Sequence, residues 1–187
     1  MSEYQYHEFC SISEPLSSDA REEMLSLSSR AKVGTHGAQY VYNYGDFRGE
    51  PEALLVKYFD AYFYIANWGS LQLGFKYLAQ DIDASELEKF CKEDFITCTS
   101  HNKCVVLSID YHTEDGFCGW IDGEGMLPEL LPLYHQIKSG DYQLLDLLAS
   151  AYDEETGIRP IDASNANLSK ADIAFLKATE LLMDKVA

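Results

Sequence analysis

Positive charge is scarce in this chain. Fourteen lysines and arginines face 31 aspartates and glutamates, a net charge of −17 over 187 residues. A surface of that sign repels phosphate backbones, and no cluster of Lys and Arg makes a local exception, so direct nucleic-acid binding is not expected. Long apolar runs are missing too. The most apolar stretch, residues 45–69, is interrupted by Lys57 and Asp60 and is too short and too charged to span a bilayer, which takes about 20 mostly apolar residues. No membrane partner is expected. The opening MSEYQYHEF has neither a basic stretch nor an apolar centre, so it does not read as a secretion signal. The five cysteines are odd in number and scattered, which fits free thiols in a reducing cytoplasm. Glycine loops of the phosphate- or dinucleotide-binding kinds, a G-x-S-x-G elbow and an H-E-x-x-H helix are all absent. Asp122-Gly-Glu124-Gly lacks the further oxygen ligands of a calcium loop. No cofactor is expected.

What the chain does have is an ordinary folding composition, 47% apolar and 24% charged, which argues against disorder. Its length suits one domain able to bury roughly 70% of its unfolded surface. Around residues 45–69 the signals are strongest. Pro51 suits the first position of a helix, and Glu50 and Glu52 suit its positive end. From Ala61 the run AYFYIANW is aromatic-rich and favours a pleated strand. The expectation is a short helix followed by a buried strand, with one continuous helix as the alternative, and Trp68 at the buried end of the run.

Alternation predicts strands over residues 4–12, 39–44, 71–78, 95–98, 104–111 and 117–121. Capping signals predict helices opening at Ser18 or Asp19 (with Glu22), at Ser85 (with Glu88) and at Ser169 (with Asp172). The last is expected to run to about Val186. Pro128 and Pro132 are read as incompatible with one regular helix, so a turn over 128–131 and a helix from Pro132 are expected. Asp141 is read as the cap of the next helix, and residues 153–167 as a polar connection. Strands gathered early and helices late indicate an α+β fold with a largely antiparallel sheet. A ferredoxin-like split β-α-β unit is open to the N-terminal half. Residues 1–125 form the sheet-containing core in this reading, and residues 126–187 a helical C-terminal segment packed on the same domain.

Three small groups stand out as a ligand or partner pocket: Asp46 with Arg48, Asn67 with Trp68, and Trp120 with Glu124. If their loops converge they make an aromatic pocket with one cation and two carboxylates, suited to a cationic or amphipathic ligand. Cys91, Cys98, His101 and Cys104 are the one set with metal-like ligands, but the paired C-x₂₋₄-C knuckle of zinc sites is absent and the set falls on a hairpin. No catalytic residue is assigned.

The words YNYGDFRGEPEALLVKYFDAYFYIANWG and GWIDGEGMLPELLPLYHQIKSGDYQLLDLLASAY, with YQYHEFCSISEPLSSDAREEMLSLSSRA near the start, resemble a family of uncharacterised bacterial proteins. The resemblance covers most of residues 4–152 and is specific at Gly45-Asp46-Phe47 and Asn67-Trp68-Gly69. It implies a bacterial cytosolic origin and brings no activity.

The acid excess is steepest over residues 110–187, with 15 acidic and 5 basic side chains. With no catalytic signature beside it, that asymmetry points to a non-catalytic protein-binding module or complex subunit meeting a basic partner surface. Two alternatives stand. One is a small enzyme built on the loop residues Asp46, Arg48, Trp68 and Glu124. The other is an acidic mimic of nucleic acid.

Overall fold

The structure, a computed structural model, describes residues 3–118 and 122–183. The protein is α+β. Its main sheet has seven strands: β1 (Gln5–Cys10), β2 (Lys32–Val33), β3 (Gly37–Tyr42), β4 (Ala61–Ala66), β5 (Ser70–Leu78), β6 (Ile96–Ser100) and β7 (Cys104–His112). They stand in the order β2-β3-β1-β4-β5-β7-β6, and every pairing in the sheet is antiparallel. Because β3 and β4 both run against β1 and flank it, β3, α2 (Pro51–Tyr58) and β4 form a split β-α-β unit around β1.

Period-two alternation sends each strand's side chains to two different cores. On one face Phe9, Tyr40, Tyr62 and Val106 meet Met24 of α1 (Ser18–Leu27) and Leu54 and Leu55 of α2. On the other, Phe63, Leu73, Phe75, Leu107 and Ile109 meet a larger apolar set from α3 (Ala84–Glu88), α4 (Met126–Lys138), α5 (Gln143–Ala151) and α6 (Lys170–Ala178). Gly74 in β5 lets α2 come close, since a Cβ there would lie 3.3 Å from the Leu55 side chain.

Residues 51–66 follow the helix-then-strand reading. At the junction, buried Asp60 accepts the N–H groups of Ile12 (2.7 Å) and Ser13 (3.0 Å), and Lys76 Nζ stands 3.4 Å away. Trp68 is not at a buried end. It is 39% exposed, because it rides the three-residue loop that joins β4 to β5. Such a loop needs a left-handed third residue, and Gly69 supplies it with φ +97. A Cβ on Gly69 would also fall 2.3 Å from the Thr113 carbonyl oxygen. Gly69→Ala is expected to lower stability by about 1–3 kcal/mol in urea unfolding, as backbone strain at a fixed position does.

Several local readings need correction. Ser17, not Ser18 or Asp19, caps α1 by accepting from the Ala20 N–H (3.1 Å), and Asp83, not Ser85, caps α3. Tyr142, not Asp141, stands at the start of α5. Pro128 and Pro132 do share one helix, α4. Pro128 sits in its first turn, where the missing N–H would have no intrahelical partner. The defect at Pro132 is outweighed by the buried stripe Leu127, Leu130, Leu133, Tyr134 and Ile137. The Ser169–Asp172 capping box is formed, but α6 stops at Ala178, after which Glu180 takes a left-handed φ of 56. Within the connection read as 153–167 a small hairpin appears, β8 (Tyr152–Asp153) with β9 (Gly157–Ile158). Phe117 and Cys118 are in no strand, and the rest of that expected strand, 119–121, lies outside the described residues.

Candidate functional site

Among the six pocket residues read from the sequence, Trp120 lies outside the described residues. The loop between β3 and α2 is pinned by Phe47, whose ring stacks on His7 (4.7 Å between centroids) and leans on Tyr40 (4.8 Å). This places Asp46 and Arg48 on the face covered by α1 and α2. Arg48 shares a recess of about 290 Å³ with Arg30, Tyr42 and Tyr44. Glu124 is held on the opposite face, where Lys32 Nζ stands 3.7 Å from its carboxylate and Gly123 lies against the Tyr6 ring. Asn67 sits at the end of the sheet, its Oδ1 accepting the Tyr4 N–H (3.1 Å). The sheet therefore separates Asp46 and Arg48 from Glu124 and does not gather them. Nor do the four metal-like residues gather, although Cys91 lies beside Cys98. Cys98 and Cys104 point to opposite faces, His101 contacts Glu52 at 2.9 Å, and among the described residues no three His, Cys, Asp or Glu are grouped to hold an ion.

A different place is built for a ligand. β7 has nine residues and β6 five, and their pairing ends at Ile96 opposite Ile109, so Asp110–His112 pair with β5 on one side and run on with no strand on the β6 side. The chain entering β6 does not fill that space. It folds back in a tight turn, with Lys92 and Ile96 exchanging hydrogen bonds and Glu93 held at φ 40. A glutamate at positive φ is costly to hold. The β8–β9 hairpin forms the far wall: Phe95 stacks on Tyr152 (5.5 Å, 9°) and the Tyr152 hydroxyl donates to Glu93 (2.8 Å). The resulting groove has a volume of about 480 Å³ and is lined by the rings of Tyr64, Phe95, Tyr111 and Tyr152, by His112, and by the carboxylates of Glu93, Asp94 and Asp110. Its lining has no lysine or arginine.

Asp110 is the deepest of the three carboxylates. Burial pushes its carboxyl above the usual range; hydrogen bonds involving Ser108 (2.8 Å) and Gln72 pull it back, and Asp94 and Glu52 push it up further. Tyr64, on β4 across β5 from Asp110, is pushed to about 12, chiefly by burial and then by Asp46. A carboxylate short of solvent and short of cations, in a groove that also presents aromatic faces, is arranged to receive positive charge. The reading from sequence missed this set because its members come from five separate segments. One signal was in view: Ser108, Asp110 and His112 put polar groups on alternate positions of an otherwise apolar strand, opposite Ser70 and Gln72. No known family model, curated protein or solved structure matches the chain, so the groove stands on its own chemistry.

Proposed function

We propose that the protein is a non-catalytic binding module whose groove over Asp110 receives a basic segment of a partner protein. The observation that carries this reading is the composition of the groove, three carboxylates and four aromatic rings with no basic residue, in a recess of about 480 Å³. Its position agrees with the charge of the chain, since residues from 110 onward hold the steeper acid excess. The resemblance to bacterial cytosolic proteins supplies the setting in which such a partner would be met. No helix among the described residues is long and apolar enough to cross a membrane.

Asp110→Asn is the decisive variant. The folded state favours the neutral carboxyl, so at neutral pH the ionised Asp110 works against folding; this penalty fades as pH falls from the raised range to the carboxyl's ordinary value and is gone below it. Asparagine keeps an acceptor for Ser108 and removes the charge. The variant is expected to unfold at a higher temperature than the parent while binding an arginine-containing peptide about ten- to a hundredfold more weakly, the loss of one charge-assisted contact. Calorimetric titration from about 0.05 to 0.5 M salt should weaken parental binding progressively. Binding that ignores both the salt and the substitution would remove the groove from consideration.

A further inference from the structure

We infer that the groove takes its basic segment as an added β-strand, paired to the edge of β7 along the line that β6 vacates. This rests on the reading of the groove as a cation site and adds how the occupant is held. The Asp110 N–H donates to the Phe95 carbonyl (2.8 Å) and the Thr113 N–H donates to the Gly69 carbonyl (2.8 Å). In an antiparallel ladder the backbone groups alternate sides. Asp110 and His112 therefore direct their backbone toward the β6 side, and Thr113 toward β5. Once Phe95 has taken the Asp110 N–H, the Asp110 carbonyl and the N–H and carbonyl of His112 face the groove, beyond the last β6 residue that pairs with β7.

This edge selects between kinds of cation. A polyamine carries donors alone and leaves the His112 N–H unmet, whereas a peptide brings both a carbonyl and an N–H at the spacing of the next strand. An added strand also alternates its side chains. One basic residue turned to the α1/α2 face approaches Asp110 beneath Tyr64, while its neighbours turn toward Phe95 and Tyr152 on the other side. Main-chain bonds then hold the segment, and the carboxylates choose its charge.

The test uses the peptide acetyl-Thr-Val-Arg-Val-Thr-amide, the same peptide N-methylated either at arginine or at the following valine, and spermine, each titrated into the full chain. Methylation at one of the two positions is expected to weaken binding about tenfold or more, and methylation at the other to leave it nearly unchanged, because only one set of alternate N–H groups faces β7. His112→Pro, which removes an N–H directed at the open edge and leaves the Thr113 bond to Gly69 in place, is expected to weaken the unmodified peptide similarly while circular dichroism stays unchanged. Equal tolerance of both methylations, or spermine binding as tightly as the peptide, would overturn strand addition and leave the acidic groove standing. Failure of every cation to bind at low salt would instead overturn the groove reading, and this inference with it.

Discussion

Asp60→Ala is expected to lower the stability of the protein by about 3–5 kcal/mol, the range found when one partner of a buried ion pair is removed. Asp60 lies between α2 and β4 and ties down three strands. Its carboxylate receives two N–H groups from the chain leaving β1, at Ile12 and Ser13, and stands near Lys76 of β5. Its own N–H and carbonyl bond to Cys10 and Lys76 in addition. Alanine leaves two N–H groups and a half-buried ammonium without their acceptor. Urea unfolding of the single variants Asp60→Ala and Lys76→Met and of the double variant would separate the parts. Removing Lys76 should matter much less once Asp60 is gone. A loss below about 1 kcal/mol for Asp60→Ala would show that water replaces the carboxylate freely and that the junction is not fixed by it.

Acid should weaken the fold through His7. The ring is buried, stacked near Phe47 and Tyr64, with Nδ1 2.9 Å from the Tyr62 hydroxyl and Nε2 without a partner among the described residues. Burial alone pushes the imidazole down from 6.5 to about 4. Above pH 6.5 the ring is neutral in both states and imposes no penalty. As pH falls from 6.5 to 4 the unfolded chain takes up the proton and the folded chain does not, so stability falls with pH and levels off below 4. The gap is worth about 3 kcal/mol at 1.36 kcal/mol per pH unit. His7→Phe should flatten this part of the profile, whatever it does to stability at pH 8. Asp110 pulls the opposite way over the carboxylate range, so the two variants should bend the curve in opposite senses. An unchanged slope between pH 6.5 and 4 in His7→Phe would mean that the ring is protonated in the folded state.

The local rules of the chain made much of this legible. Pro51 with its flanking glutamates marks α2, alternation marks β5 and β7, and Ser169 with Asp172 marks the start of α6. Failures came where a local rule met a stronger neighbour. The objection to two prolines in α4 is correct for Pro132, but five buried side chains on one stripe outweigh it. Trp68 was assigned inward by its aromatic company, when the glycine after it already indicated a hairpin tip. The candidate site failed for a different reason. Asp46, Arg48 and Glu124 were joined because each borders a glycine loop, yet which face of a sheet a loop lands on depends on register, which one sequence does not display. The groove over Asp110 depends on the difference in length between two strands and on a hairpin some forty residues downstream, relations that exist only once the chain has paired.

The single sheet that parts the aromatic cluster under α1 and α2 from the larger one under α3–α6 also partitions the protein's tolerance of change. Side chains such as Phe59 and Phe175 share no neighbours across it, so each layer is free to drift and repack without asking anything of its counterpart. Substitutions could thus remodel the layer of α3–α6 while leaving that of α1 and α2 almost intact, with β1, β4 and β5 as the common wall that neither layer can alter alone.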